Sequence, residues 1–466
     1  MGAVLLIDFG STWTKLTAVS LASETLLGSA SAFTTVEEDI TIGLEEAMGV
    51  LEKKIGPQKY DNIWACSSAA GGLRMHVSGL VPELTAEAAR MAALGAGAKI
   101  EQVFSYELTK QDLALIENNK PDIFLLVGGT DGGNRDYIVG NAGKLAGLSV
   151  RFPIIYAGNR SALDECSEIL RDFPLTVCTN VMPSFGELQT EAVQKEIRNL
   201  FLTQIIEAKG LTKTRALLSG ILMPTPSAML SAMTLLAEGT ETEAGIGSLL
   251  GIDVGGATTD VYSIADGLPQ DVQVMLKGLP EPHAKRSVEG DIGMRHCIDG
   301  IIAERGLENL AADCSLAPTR VRELTAKFSQ AKYIIPSSQE EEAFELALAR
   351  AAVDVASRRH SGKLQEVYTP TGLAYVQTGK DLRSLEQIVL SGGALIHAKE
   401  PLTIASAALF DTAVPTSLRP LRARVWRDSK YILSAMGVLA EKEADIALRI
   451  MKRELENIGE IFSEKN

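Results

Sequence analysis

Two short stretches far apart in the chain are variants of one another, and any fold must accommodate both. Leu5-Leu6-Ile7-Asp8-Phe9-Gly10-Ser11-Thr12-Trp13-Thr14-Lys15 matches Leu250-Gly251-Ile252-Asp253-Val254-Gly255-Gly256-Ala257-Thr258-Thr259-Asp260. Each is an apolar run that reaches an Asp, passes one residue, turns at Gly with small hydroxyl residues, and becomes apolar again. An apolar run of this length predicts a buried strand, and the Gly-rich segment its hairpin turn. Gly10, Gly255 and Gly256 let backbone amides approach an anion, and Ser11, Thr12 and Thr258 add hydroxyl donors. Asp8 and Asp253, each at a strand end, suit Mg²⁺ held through water, because Mg²⁺ keeps much of its hydration shell and uses few carboxylates. Two such hairpins gripping phosphates and metal from both sides make a nucleotide clamp the leading reading.

The chain of 466 residues predicts at least two domains, with 46% apolar and 22% charged residues as in globular proteins. A net charge of −14 and the lack of a basic patch with interleaved aromatics argue against a nucleic-acid partner. Cys66, Cys166, Cys178, Cys297 and Cys314 never fall in C-x-x-C spacing, which argues against disulfide, zinc or iron–sulfur frameworks and fits a reduced cytoplasm. The longest uncharged window, 216–237, is split by Pro224 and Pro226. It predicts a strand at 216–223 and a helix capped by Thr225, and no membrane span is expected.

Beyond the first hairpin, strands near 14–20, 26–33 and 62–66 and a helix at 40–55 are expected. From 83 to 179, helical and strand-like runs alternate, which indicates parallel α/β layering and an insertion at about 68–180. A helix at 184–208 precedes the 216–237 unit. Gly290-Asp291-Ile292-Gly293-Met294-Arg295 is expected to open a helix, and Ser338 to cap another at 338–358. A strand at 387–390 runs into Ser391-Gly392-Gly393-Ala394 and a helix at 398–410, and a helix at 427–456 closes the chain.

The order hairpin, strand–helix, hairpin, strand–Gly-Gly–helix resembles the actin, Hsp70 and sugar-kinase superfamily of ATPases. The resemblance implies an α/β fold of two actin-like ATPase (ribonuclease H-like) domains flanking a nucleotide cleft, with an α/β insertion in the first. It places domain I at 1–245, domain II at 246–425, and a returning C-terminal helix at 426–466. ATP and Mg²⁺ are the implied cofactors, with Gly392, Gly393 and Ala394 against the adenosine. Lys15 is placed either to face a phosphate or to be solvated. Asp260 is either an orienter of metal or water or a polar residue on a half-exposed strand. In Hsp70-like members a Glu opens the helix at 223–238, whereas here that position is Thr225. A general base would then come from Asp8, Asp253 or Asp260, and slow turnover is expected.

Leu125-Leu126-Val127-Gly128-Gly129-Thr130-Asp131-Gly132-Gly133-Asn134, Glu289-Gly290-Asp291-Ile292-Gly293-Met294-Arg295, Leu84-Thr85-Ala86-Glu87-Ala88-Ala89-Arg90 and the first hairpin together resemble the glutamate mutase L (MutL or GlmL) family. That resemblance implies a cytoplasmic ATPase acting as reactivating chaperone for an adenosylcobalamin-dependent mutase or aminomutase, through ATP-driven domain closure. No D-x-H-x-x-G cobalamin-ligand motif is present among the five histidines. A small-molecule kinase of the same superfamily is the alternative, and the missing carboxylate at 225 speaks mildly against it.

Overall fold

The computed structural model describes residues 2–10, 12–35, 40–68, 73–208, 220–331, 334–370 and 372–463. They fall into two compact units. The first comprises Met1–Ala232, Gly278–Pro280 and Ser434–Ile450, and the second Met233–Lys277, Glu281–Leu433 and Met451–Asn466.

The first unit is built on a five-stranded sheet. Its spatial order is Gly220–Pro224, Tyr60–Ser67, Ala3–Phe9, Trp13–Ser20 and Thr25–Phe33. The first three strands in the chain form an antiparallel meander; Tyr60–Ser67 adds in parallel beside Ala3–Phe9, and Gly220–Pro224 in parallel beside Tyr60–Ser67. Ala3–Phe9 is therefore central, and its residues from Val4 to Phe9 are buried on both faces. Helix Ile40–Ile55 turns Leu44, Ala47 and Leu51 into the core at helical spacing.

The second unit repeats this plan. Its order is Ala284–Glu289, Thr259–Ile264, Leu249–Val254, Gln387–Ser391, Arg422–Arg427 and Glu456–Phe462, with Leu249–Val254 central. The first five strands have the same order and directions as in the first unit, and the sixth adds antiparallel. The two matching sequence stretches are thus the same element of one repeated motif. Each unit has the ribonuclease H-like strand order, and the fold is of the actin-like α/β class.

Within the first unit, between Tyr60–Ser67 and helix Glu191–Ala208, lies a second sheet whose strands are all parallel. Its order is Lys99–Ser105, Arg74–Gly79, Ile123–Leu126, Ile154–Tyr156 and Leu175–Val177. Strand Arg74–Gly79 was not expected from sequence, because buried His76 and Ser78 interrupt its apolar pattern.

Several boundaries differ from the sequence reading. Helix 184–208 begins only at Glu191, because a turn at Ser184–Glu187 with Gly186 at φ 79° occupies the earlier residues. Of the strand expected at 216–223, residues 216–219 lie outside the described set, and Gly220–Pro224 is extended. The Gly290–Arg295 segment does not open a helix directly. Its amides are used elsewhere, and the helix starts at Ile298. The helix expected at 398–410 is reduced to Gly393–Ile396, Pro401–Ala405 and a further turn at Ser406–Ala408.

The single C-terminal helix at 427–456 is instead two helices, Leu433–Ala440 and Ala444–Glu454, followed by strand Glu456–Phe462. Asp428 delays the first by accepting the Ile432 and Leu433 amides on its carboxylate, 2.9 and 3.1 Å away.

The second unit also buries a cation away from its strand-end turns. Lys380 is 1% exposed, and its Nζ donates to the His283 carbonyl at 2.7 Å. Burial, with the charge of Lys285 nearby, pulls its ammonium down to about 7. The unfolded chain holds this proton up to the ordinary value of 10.5, so between the two values it binds more protons than the folded chain. Stability from this group therefore rises with pH across that window, by at most about 1.4 kcal/mol per pH unit. Lys380→Met is expected to remove that slope in urea unfolding measured at several pH values inside the window. An unchanged slope would mean the folded protein keeps the proton.

Candidate functional site

In the first unit the turn after Asp8 closes through the Gly10 amide, which donates to the Trp13 carbonyl at 3.1 Å. A Cβ on Gly10 would lie 2.6 Å from that carbonyl oxygen, so this approach requires glycine. The Thr12 carbonyl accepts the Thr34 amide, and Ser11 lies outside the described residues. Asp8 and Lys15 face each other across the hairpin, and the Lys15 Nζ is 3.8 Å from Asp8 Oδ2.

The Asp8 carboxylate is 3% exposed and hydrogen-bonded at both oxygens. Thr225 Oγ1 donates to Oδ1 at 2.6 Å, and Ser434 Oγ donates to Oδ2 at 3.0 Å. The Cys66 thiol lies 3.5 Å from Oδ1, and burial together with the Asp8 charge holds it protonated well above its usual range. Burying a carboxylate is tolerable when charge-assisted hydrogen bonds replace its water, as they do here. Thr225, expected to cap its helix, directs its hydroxyl to Asp8 instead.

In the second unit the Gly255 amide closes the equivalent turn onto the Thr258 carbonyl at 2.9 Å. Asp253 and Asp260 are the cross-strand pair in the register occupied by Asp8 and Lys15. Gly392 sits against this strand end at φ 91°, where a Cβ would lie 2.3 Å from the Val254 carbonyl oxygen and 2.7 Å from Asp253 Oδ1. Beside it, a Cβ on Gly393 would meet nothing within 4 Å. Ala394 follows in the first turn of the short helix Gly393–Ile396.

The Gly290–His296 segment wraps the turn from outside. Met294 donates its amide to the Gly255 carbonyl, and Arg295 and His296 both donate theirs to Gly256. Asp260 is held by Arg286, whose Nε and Nη2 lie 2.9 and 2.6 Å from Oδ1, while the Thr258 hydroxyl donates to Oδ2 at 3.2 Å.

The structure therefore gathers Asp8, Gly10, Thr12 and Lys15 on one hairpin. It gathers Asp253, Gly255, Gly256, Thr258, Asp260, Gly392, Gly393 and Ala394 at one corner of the second unit. Cys66, Ser434 and Arg286 join these groups without having been expected from sequence. Ser434 carried no signal, being a lone serine in an apolar helix. Arg286 carried none either, because no strand was expected at Ala284–Glu289. The Gly128–Asn134 run belongs to neither group. It follows strand Ile123–Leu126 of the inserted sheet, where Asn159 Nδ2 donates to the Gly133 and Asn134 carbonyls.

A family model described as MutL protein matches residues 4–455 of the chain. Protein MutL of Clostridium tetanomorphum is 46% identical over 459 residues, spanning 98% of this chain and 99% of that protein. Among solved structures, nucleotide-free acetone carboxylase, studied for ATP-dependent acetone carboxylation, matches with a TM-score of 0.40 and 14% identity, over 94% of this chain and 70% of that one. Gluconate kinase from Lactobacillus acidophilus matches with a TM-score of 0.37 and 12% identity, over 99% and 94%.

Two substitutions test the second-unit corner. Gly392→Ala combines a positive φ with the backbone clash at Val254 and is expected to destabilise the fold by about 2 kcal/mol or more. Arg286→Met leaves the part-buried Asp260 carboxylate uncompensated and is expected to cost about 3 kcal/mol, with much of that recovered in Arg286→Met/Asp260→Leu. Chemical denaturation reads both, and a recovery no larger than error in the double variant would contradict the assigned pairing.

Proposed function

The chain belongs to the MutL (glutamate mutase L) family, and from that premise we propose that it is a slowly turning over, Mg²⁺-dependent ATPase that reactivates an adenosylcobalamin-dependent mutase or aminomutase. The observation that carries the nucleotide half of this reading is the repeated hairpin. In both units an Asp ends the central strand, a glycine closes the turn, and a charged residue faces that Asp in the same register. Such turns suit phosphate oxygens, which accept from backbone amides and threonine hydroxyls.

The first hairpin offers one strand-end carboxylate and the second a facing pair of which Arg286 takes Asp260, a donor set that fits a hydrated Mg²⁺ brought in on phosphates better than a protein-built metal cage. Asp8 and Asp253 would hold the ion through water. Gly10, Ser11, Thr12, Gly255, Gly256 and Thr258 would contact the phosphates, with Lys15 directed by its approach to Asp8. Gly392, Gly393 and Ala394 would lie against the adenosine, with the unobstructed face at Gly393 leaving room for it. When bound, Mg²⁺ would supply positive charge against the negative charge on the phosphate oxygens.

Deprotonation of the attacking water would fall to Asp8, Asp253 or Asp260. The first already accepts two hydroxyl donors and the last carries Arg286. With Thr225 in place of a carboxylate, turnover is slow, which suits a switch. The ATP cycle would close and release the domains, and a mutase holding a damaged cofactor would bind one state more tightly, since equal affinity for both shifts nothing. Among the described residues no helix is long and apolar enough to cross a membrane. The proposed site of action is the cytoplasm.

The direct test is restoration of activity to an inactivated cobalamin mutase by this protein with ATP and Mg²⁺. Restoration that requires ATP supports the reading. Failure across several such mutases, with ATP binding intact, favours a small-molecule kinase, which a panel of sugars and acids would reveal. Asp8→Ala and Asp253→Ala are each expected to weaken Mg²⁺-dependent ATP binding at least about tenfold, a loss of about 1.4 kcal/mol. Titration with a fluorescent ATP analogue measures this, and wild-type affinity in both variants would remove their assigned role.

A further inference from the structure

We infer that Thr225 and Ser434 are positioning residues for the Asp8 carboxylate, their hydroxyls clamping the strand-end Asp from two helix starts. This rests on the proposed role of Asp8 toward Mg²⁺ and ATP, and assigns the side chains that set its geometry. The two donors reach different oxygens: Thr225 takes Oδ1 at 2.6 Å and Ser434 takes Oδ2 at 3.0 Å. Rotation of the carboxylate about its last torsion would break both bonds, so its plane is fixed. Ser434 is 4% exposed and Asp8 3%, so water competes little for that bond, whereas Thr225 is half-buried at the edge of the pair.

The donors are themselves braced. Thr225 opens helix Thr225–Glu238 and Ser434 lies in the first turn of helix Leu433–Ala440. A Cβ on Gly437 would lie 1.8 Å from the Ala228 carbonyl oxygen, so the two helices touch backbone to backbone one turn beyond the hydroxyls. Ser227, two residues after Thr225, donates its buried hydroxyl to the Ala96 carbonyl at 2.8 Å and pins the same turn. The hydroxyls of residues 225 and 434 are thus set relative to each other before any ligand arrives.

The arrangement also accounts for threonine at 225. A glutamate there would bring a second carboxylate against the buried Asp8, and like charges in low-dielectric surroundings repel strongly. Thr225→Glu should therefore slow turnover, where a vacant water-directing position would predict acceleration.

The experiment uses the full chain with Thr225→Val, Thr225→Ser, Thr225→Glu, Ser434→Ala and Ser434→Thr. The Mg²⁺ concentration giving half-maximal ATP-analogue binding is expected to rise about tenfold in Thr225→Val and in Ser434→Ala, and to return to within about twofold of wild type in Thr225→Ser and Ser434→Thr. At saturating Mg²⁺ the ATP KM should change little while kcat falls. A double-mutant cycle of Asp8→Asn with Thr225→Val, read by urea unfolding, reports the pair without ATP and should be non-additive. Non-additivity with an unchanged Mg²⁺ requirement would reduce the hydroxyls to fold-stabilising groups and overturn the inference, as would additivity or faster turnover in Thr225→Glu. Absence of ATP binding by the unsubstituted protein would instead overturn the ATPase reading, and the cycle would still decide whether the hydroxyls and the carboxylate are coupled.

Discussion

A carboxylate buried at the end of a central strand is the constraint around which the first unit is arranged. Asp8 lies where Ala3–Phe9 is covered on both faces, and an ionised group there needs donors in place of water. None of its immediate neighbours in the chain supplies them. Lys15 comes from the next strand, Cys66 from the parallel strand beside it, Thr225 from the fifth strand's exit, and Ser434 from near the C-terminus. Satisfying one group thus ties together segments that would otherwise share only apolar packing. Apolar packing alone would tolerate many small shifts, and two hydroxyl hydrogen bonds with a thiol contact do not.

The second unit meets the same geometric problem with different chemistry. Its hairpin has the same register, but Asp260 stands where the first unit has Lys15. Two carboxylates facing each other across a strand pair repel. Arg286, on the strand beyond, relieves this by taking Asp260, its side chain nearly as buried as the core around it. The repeated motif therefore does not impose a repeated charge pattern. The two copies share backbone geometry and differ in which side chain neutralises the second position.

The inserted parallel sheet shows why a motif alone is an insufficient guide. Gly128–Asn134 has the glycine and hydroxyl content of the two hairpins, yet it leaves a strand that continues into a helical crossover. Its carbonyls are held by Asn159 and Asn180, two fully or nearly buried amides from later loops. Composition is similar in all three runs, and the element entered after the turn, strand or helix, decides which of them becomes a hairpin.

Much was legible in the chain itself. The apolar run into Asp, the Gly turn and the return to apolar residues specified both hairpins, because strand burial and turn chemistry are local properties. The paired order of hairpins and Gly-Gly turn specified the repeated α/β plan. The C-terminal region was misread as one helix because Asp428 redirects its start through a side chain, which charge periodicity does not register. Strand Arg74–Gly79 was missed because its buried positions include His76 and Ser78. Ser434 and Arg286, which help to hold Asp8 and Asp260, were illegible for a different reason. Ser434 is 426 positions from the carboxylate it contacts, and Arg286 is an ordinary basic residue until its strand is placed beside Thr259–Ile264. Local sequence determined which backbone turns form and where carboxylates end strands. Only the tertiary structure decided which distant side chains, Ser434 and Arg286 among them, complete their contacts, since such partners are chosen by proximity in space and leave no periodic or spaced trace along the chain.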